Sequence, residues 1–439
     1  MSGEVITIFV GQAGAQLATF YWELLCTEYG IKTNGFLYES SIVVDPTTQA
    51  FFTEKAISGY KPLTLIVDLE PTAIDKIKIG NYKCLFDEKC LIHGFEDAAN
   101  NYAKGYYTVG REMIDLVLCH IRRIYETCCN LQRFIIFRSS GGGTGSGFTT
   151  LLLEHLTEIY PKVSKMDFTI SSTPNLSMIK VEPYNAMLTT CGSLAYEDCC
   201  FILENESLYD ICKKKLNIGL VTYTNLNRLQ AQITGNMITS MLSKDVNGGP
   251  NARLDDLRKI LVPYPRVPFS IIAYSPLTTP SLAAYSDLSV YQLMQECFQP
   301  DNQVVKCDCR TGAYISGCLL YNGDVSKNDI SKALVDSKGK LYPQFVDWTP
   351  SSFKIGINDR PPLTISNGDL DATKRNVTML SNNTAIKEIW TKLVDNCGLL
   401  MRTKAFYHHY LSEGMEEAEF FDSLNNISTL VDDYRLIES

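Results

Sequence analysis

Residues 139–147 read Ser139-Ser140-Gly141-Gly142-Gly143-Thr144-Gly145-Ser146-Gly147, between an apolar strand-like run, Phe134–Phe137, and a helical run, Phe148–Leu156. Glycines let backbone N–H groups come close to phosphate oxygens, and the N-terminus of a following helix adds favourable partial charge. A flexible linker has no reason to sit between a buried strand and a helix, so the loop is read as a phosphate site. It is not a Walker loop, which needs a Lys just before the helix. It also fails the dinucleotide fingerprint, with glycines at i, i+2 and i+5. Gly141 and Gly143 are followed by Ser146, and Gly143 and Gly145 by Phe148. Backbone amides and hydroxyls must do the holding here.

Outward from the loop, strand and helix signals alternate. Val5–Val10 reads as a strand, followed by Gly11-Gln12-Ala13-Gly14 and a helical run through Tyr29. Leu63–Val67, Phe168–Ser172 and Cys200–Leu203 read as strands, and Ile114–Tyr125 has helical spacing. This alternation implies an α/β fold with a mostly parallel, Rossmann-like sheet covered on both faces. Ligands in such sheets bind beyond the carboxyl ends of the strands. Leu226, Leu229, Ile233, Met237 and Met241 predict a long central helix over Tyr223–Leu242, stopped by Asn247-Gly248-Gly249-Pro250. A second α/β block follows, with strands near Phe269–Tyr274, Tyr314–Leu320 and Phe353–Ile357. From Thr384 the tail is helical, and Phe420, Leu424, Ile427, Val431 and Tyr434 form one apolar face expected to pack on the body. The expected division is a nucleotide-binding domain over 1–205, linking helices over 206–242, an intermediate α/β domain with a mixed sheet over 243–380, and a helical region over 381–439.

Composition narrows the function classes. The chain has 439 residues, 45% hydrophobic and 20% charged, which is ordinary for a globular protein. Its net charge of −9 argues against a nucleic-acid partner, and Lys213-Lys214-Lys215 reads as solvated surface. The fifteen cysteines include Cys128-Cys129, Cys199-Cys200 and Cys307-x-Cys309 but no zinc-like C-x2-C pair. Many sit in apolar runs, so reduced thiols in a cytoplasmic protein are expected. The start, MSGEVITIFVG, has no signal-peptide pattern, and no apolar run is long enough to span a membrane. The five histidines form no metal constellation, and His408-His409 reads as surface or helix packing.

The segment GGGTGSG resembles the signature loop of the tubulin and bacterial cell-division GTPase superfamily. The likeness to tubulin extends along the chain through VGQAGAQ (10–16), VDLEPT (67–72), EDAANNYAKG (96–105), VEPYN (181–185), TYTNLNRL (222–229), LVPYPR (261–266), FVDWTPSSFKIGIN (345–358), MLSNNTAI (379–386) and SEGMEEAEF (412–420). VDLEPT, LVPYPR, VDW and the longer stretch around 366–375 resemble the α subunit more than β.

This resemblance implies GTP and Mg²⁺ as cofactors and assigns a site. Gln12 reaches the phosphates and base. Asp68 and Glu70 are the carboxylates of the magnesium site, suited to an ion that keeps waters while bridging phosphate oxygens. Asp97 and Asn100 form a further loop at the phosphates. Ser139, Gly142, Gly143, Thr144 and Gly145 are the signature loop. Glu182 is a ribose ligand, and Asn205, Tyr223 and Asn227 are guanine ligands. Singly, each Asn could equally be a cap or turn residue.

The resemblance further implies a β-tubulin partner, alternating head to tail. A loop of this chain's second domain would position the attacking water at the neighbour's GTP, while this chain's own GTP stays unhydrolysed. The matching loop is Asn251–Arg258, where Asp256 stands in place of a Glu, one methylene shorter. A displacement of about 1 Å can cost roughly 100-fold in rate. Asp255 is a second candidate, though a surface charge or helix cap fits it better. An insertion near 247–250 could shift the loop.

Other departures are Met178 in place of a Thr near the ribose, Ser140 in place of an aromatic residue, and Glu39-Ser40-Ser41 without the acetylated Lys. The chain stops at Ser439 without an acidic tail, and Leu424, Asn425 and Asn426 stand where the family is charged. Weaker docking of motors and microtubule-associated proteins is expected from this, since such attraction rests on complementary charge. A non-catalytic tubulin-like regulator that binds GTP structurally is the competing reading. A bacterial-type division GTPase, sharing only the loop and core, is a third.

Overall fold

The computed structural model describes residues 3–38, 46–55, 59–171, 177, 179–242, 256–279, 288–337, 344–350, 352–362, 364–365, 368–370 and 373–438. The chain forms two compact units, Met1–Cys200 with Ile389–Asp432, and Phe201–Glu388 with Asp433–Ser439.

In the first unit, runs of β-branched and aromatic residues form β1 (Glu4–Val10), β4 (Thr64–Asp68), β6 (Leu131–Ser139) and β7 (Ser164–Ser171), with short β5 (Leu91–His93) at one edge. The order is β7-β6-β1-β4-β5, and every neighbouring pair is parallel. The strands expected near 5–10, 63–67, 134–137 and 168–172 are present with extended or shifted ends. An antiparallel pair, β2 (Phe52–Lys55) and β3 (Gly59–Pro62), stands apart from this sheet.

The strand centres are buried on both faces, which is why they read as continuous apolar runs. Ile8 lies level with Leu65 on one side and Ile136 on the other. Val109–Thr127, longer than the expected 114–125, contributes Met113, Ile114, Val117 and Ile121 to the same core and turns Glu112 and Asp115 to solvent. Each fully buried aliphatic side chain is worth about 1.5–3 kcal/mol. The strand order reverses at β1, with β4 on one side and β6 on the other. The carboxyl ends of these three strands therefore border a crevice suited to a ligand.

The tail is helical as expected, over Lys387–Arg402, Tyr407–Leu411 and Glu417–Glu438. Phe420, Ile427, Val431 and Tyr434 are buried, and Leu424 is half-buried. Tyr407 and Phe420 stack at 4.3 Å, and both meet Tyr184 edge-on. That contact anchors Glu182–Ser193, a helix the apolar pattern did not announce.

The strand β8 (Cys199–Glu204) lies where the chain passes from the first unit to the second. In the second unit the helices Asn205–Lys214 and Tyr223–Leu242 precede a mixed sheet. Its strands are β9 (Phe269–Ser275), β10 (Tyr314–Gly323), β11 (Lys354–Asn358) and β12 (Arg375–Asn383), in the order β11-β10-β12-β9. β10 pairs parallel to β11 and antiparallel to β12, which is antiparallel to β9.

The core of this unit is partly polar. Ser240 Oγ donates to Asn322 Oδ1 at 2.6 Å, Asn322 Nδ2 to Asn376 Oδ1 at 2.8 Å, and Asn376 Nδ2 to the Tyr274 hydroxyl at 2.8 Å. Asn236 Nδ2 donates to the same hydroxyl at 3.2 Å. The chain of bonds ties the long helix to three strands.

Among the described residues no helix is long and apolar enough to cross a membrane. All fifteen cysteines carry free thiols, most of them buried.

Candidate nucleotide site

β6 delivers the glycine loop to the crevice, where Thr144–Phe148 forms one wide π-helical turn before the helix Thr149–Ile159. The opening amides of a helix have no intrahelical acceptor and are available to a ligand. The glycines are not interchangeable. A Cβ on Gly143 would lie 2.7 Å from the Asn101 amide nitrogen, and one on Gly145 would lie 2.5 Å from the Ser139 carbonyl oxygen. A Cβ on Gly142 would meet nothing within 4 Å. Gly142 therefore faces the open side of the loop, where a phosphate would sit. The Ser146 hydroxyl turns inward and donates to the carbonyls of Gly142 and Gly143.

Around this loop the first unit gathers the phosphate-end residues. Gly11, at the end of β1 with φ +75°, allows the chain to pass so close to Gly145 that a Cβ would lie 3.2 Å from its nitrogen. Gln12 follows it, exposed, in the first turn of the helix Gly11–Tyr29. Glu182 begins the helix Glu182–Ser193, and a Cβ on Gly141 would collide with its carboxyl group. Burial raises the pKa of Glu182, opposed by a hydrogen bond from Ser177. Asp97 and Asn100 are exposed on the loop after β5, with Ala99 and Asn100 at positive φ.

Asp68 ends β4 and is buried. Desolvation pushes its carboxyl up to about 7; backbone hydrogen bonds from Glu70 and Leu69 resist this, and the charges of Glu70 and Asp97 add to it. Glu70, half-buried at the start of the helix Pro71–Ile79, accepts a hydrogen bond from the Thr72 hydroxyl. A buried carboxylate whose influential charged neighbours are two more carboxylates is a place where a divalent cation fits. Such an ion would relieve both desolvation and repulsion.

The residues expected at the guanine end stand in the second unit. Asn205 opens the helix Asn205–Lys214 and accepts a hydrogen bond from Gln230 Nε2 at 3.2 Å. Tyr223 is the first residue of Tyr223–Leu242 and is 66% exposed, leaving a ring face open to stacking. Asn227 lies one turn on and is buried. The neighbouring Asn225 is engaged in local structure, accepting from Thr222 and donating to Asp369 at 2.9 Å.

Asp256 sits at the start of the short helix Leu257–Leu261 without a side-chain capping bond, and pairs with Lys259 at 3.6 Å. Its side chain is 47% exposed. The readings placed on Glu39-Ser40-Ser41, Met178, the stretch 247–250 and Asp255 lie outside the described residues.

The structure adds a residue not anticipated as part of the site, although its segment was. Asn185 is fully buried, and its Nδ2 donates to the carbonyls of Asn100 at 2.7 Å and Gly141 at 2.8 Å. Its Oδ1 accepts from the Tyr102 amide at 3.1 Å and the Tyr410 hydroxyl at 2.7 Å. Every hydrogen-bonding direction of the amide is thus used, across three segments.

Comparison with known proteins agrees with the architecture. The model for the Tubulin/FtsZ family GTPase domain matches residues 4–213, and that for the tubulin C-terminal domain matches residues 265–395. The chain is 46% identical over 431 residues to the tubulin alpha-2 chain of Caenorhabditis elegans, an alignment covering 98% of this chain and 96% of that one. With a glycine phosphate loop on a parallel sheet, both domain models in order and likeness along nearly its whole length, the chain belongs to the tubulin family.

Proposed function

We propose that the chain is an α-tubulin-like subunit that pairs with a β-tubulin and polymerises with it into microtubules in the cytoplasm. It holds its own GTP unhydrolysed and supplies Asp256 to the GTP of the neighbouring β subunit. The loop amides from Gly142 to Gly145, with Ser139, Thr144, Gln12, Asp97 and Asn100, bind the phosphates. Glu182 accepts a hydrogen bond from a ribose hydroxyl. Asn205 and Asn227 read the guanine edge, and Tyr223 stacks on its face. Asp68 and Glu70 hold Mg²⁺, which neutralises phosphate charge when bound. Motors and microtubule-associated proteins dock more weakly than on highly acidic relatives, since Asn425 and Asn426 add no charge to the last helix.

The observation that carries the catalytic part is the state of Asp256. A carboxylate spent on capping would be held in place by backbone amides; among the described residues this one makes no such bond and has a half-exposed ion pair with Lys259. Such a pair is worth little, so the carboxylate is free to turn toward a water at a neighbour's nucleotide.

The test is phosphate release during co-assembly with a β-tubulin, comparing the natural chain with Asp256→Glu and Asp256→Ala. Release that tracks assembly with Asp or Glu, and stops with Ala, supports the reading. Failure of the natural chain and the Glu variant alike to co-assemble with β-tubulin would refute it and favour a regulator that binds GTP structurally.

A further inference from the structure

The residue immediately before the phosphate loop, Arg138, is charged, yet it is among the most buried side chains of the first unit. Its Nε donates to Asp167 Oδ2 at 2.7 Å, and its Nη2 donates to Glu197 Oε1 at 2.6 Å and Ser193 Oγ at 3.0 Å. Its Nη1 donates to Thr189 Oγ1. Both carboxylates are buried too, so one guanidinium faces two acids away from water. With both acids ionised, the cluster carries one excess negative charge in a medium that penalises it heavily. Among the described residues, Asp167 Oδ1 and Glu197 Oε2 each lack a hydrogen-bond partner, although both are buried. One proton shared by the carboxylates would neutralise the cluster.

The cluster is wired to the nucleotide site. Thr189, held by Arg138, donates to the Ser146 carbonyl at 3.2 Å, and Thr150 donates to the same carbonyl at 2.9 Å. Ser146 closes the glycine loop. Thr189 and Ser193 belong to the helix whose first residue is Glu182 and whose Asn185 holds Gly141. Arg138 thus joins the strand leading into the loop, the turn leaving it and the helix beside it.

We propose that Arg138, Asp167 and Glu197 form a positioning device for bound nucleotide. They fix the phosphate loop against the Glu182 helix while one proton stays on the carboxylate pair, and they loosen both when that proton leaves to solvent.

Burial, and then the charge of Asp167, raise Glu197 to about 7, with Arg138 and the Ser193 hydroxyl opposing, so the proton is lost within the neutral range. The groups facing Glu197 are Arg138 of β6, Asp167 of β7, Ser193 of the helix and Cys200 of β8, with Thr169 bonded to Asp167 and Thr189 to Arg138 behind them. Burial raises the Cys200 thiol well above its ordinary range, so it stays neutral while Glu197 titrates. Asp167, Glu197 and Cys200 also bring ligand-type atoms within 4.8 Å of one another, but Arg138 already serves the two acids as their cation.

The inference rests on the chain holding a guanine nucleotide. The experiment measures, in the full-length protein co-purified with its partner, loss of the guanine nucleotide held beyond the one that the partner itself carries, between about pH 6 and about pH 8. Natural protein is compared with Glu197→Gln, which keeps an acceptor for Arg138 but cannot ionise. Asp167→Asn is the second variant should the first fold poorly. Release from natural protein is expected to rise by about tenfold across this range, and release from the Gln variant to stay slow throughout. Arg138→Lys, which cannot reach four partners, is expected to release quickly at every pH. A flat profile in natural protein, or the same rise in both carboxyl variants, would overturn the device and leave the nucleotide reading intact. Absence of guanine nucleotide at every pH would overturn both. A divalent ion beyond the one proposed at Asp68 and Glu70, lost in Glu197→Gln, would also overturn it, because an ion would then hold the place assigned to the proton.

Discussion

The side-chain amide of Asn185 donates a 2.8 Å hydrogen bond to the carbonyl of Gly141, so a helix residue directly holds the first glycine of the phosphate loop. The same nitrogen holds the carbonyl of Asn100, and the oxygen opposite receives Tyr102 and Tyr410. Replacing Asn185 with Ala leaves four polar groups on three segments without their partner, and each such group, where buried, costs about 1–3 kcal/mol. We expect a loss of about 3 kcal/mol in denaturant unfolding, with faster nucleotide release. Asn185→Asp should be no milder, since its carboxylate cannot donate to either carbonyl. A stability change within error for both variants would refute the hub.

Gly142 and Gly143 are adjacent, yet their alanine variants should fail in different ways. The Gly142 methyl enters open space on the ligand side, so melting should be unchanged while nucleotide retention falls. The Gly143 methyl drives into the Asn101 backbone, and overpacking of this kind costs about 1–3 kcal/mol. Parallel melting and retention assays separate the two, and identical behaviour would contradict the assigned faces.

Asp256→Ala should leave folding stability within about 0.5 kcal/mol, because the lost ion pair is exposed and no cap is removed. Its effect should appear only in phosphate release on co-assembly. A large stability loss would mean that the carboxylate has a structural task instead.

The pH dependence of stability should carry the mark of Glu197. Its folded-state value, raised by burial to about 7 from an ordinary 4.5, means that between those values the fold holds a proton the unfolded chain has released. The stability this gives is fully present below the ordinary value and is lost as pH rises through about 7. Melting of the natural protein should fall from about pH 6 to about pH 8, and Glu197→Gln should make that decline shallower, leaving the share that Asp68 contributes. Equal slopes would place the titrating group elsewhere.

Much of the first unit was readable because its physics is local. Strands buried on both faces appear as short apolar runs, and the glycine loop between two of them needs no distant partner to be noticed. The strand Arg375–Asn383 escaped because its buried interior includes Asn376, Thr378, Ser381, Asn382 and Asn383, which leave no hydrophobic period to find. Those residues become acceptable inside only once partners from other elements are in place, as with Asn382 bonding the carbonyls of Leu261 and Val267. The helix Glu182–Ser193 hid for a similar reason, with Thr189, Thr190 and Ser193 buried among its apolar residues. In the site, the phosphate and magnesium residues were named from motif resemblance, and those roles stand as proposals; the structure itself gives the burial of Asp68 beside the charges of Glu70 and Asp97. The Arg138 cluster was invisible because its three charges lie about thirty residues apart in sequence and gain meaning only when β6, β7 and the following turn align. One signal was present: an arginine directly after Phe134–Phe137 is a charge entering a buried strand.

The asparagine and tyrosine chain inside the second unit has a mechanical side. Contacts among methyl groups can slide by a fraction of an ångström and re-form, but the bonds linking Ser240, Asn322, Asn376, Tyr274 and Asn236 are directed and lose value steeply with misalignment. Such a core holds its shape up to a threshold and then yields abruptly, as a riveted joint does, instead of creeping. In the filament proposed for this chain, such a core would make the second unit a strut that passes strain on with little damping.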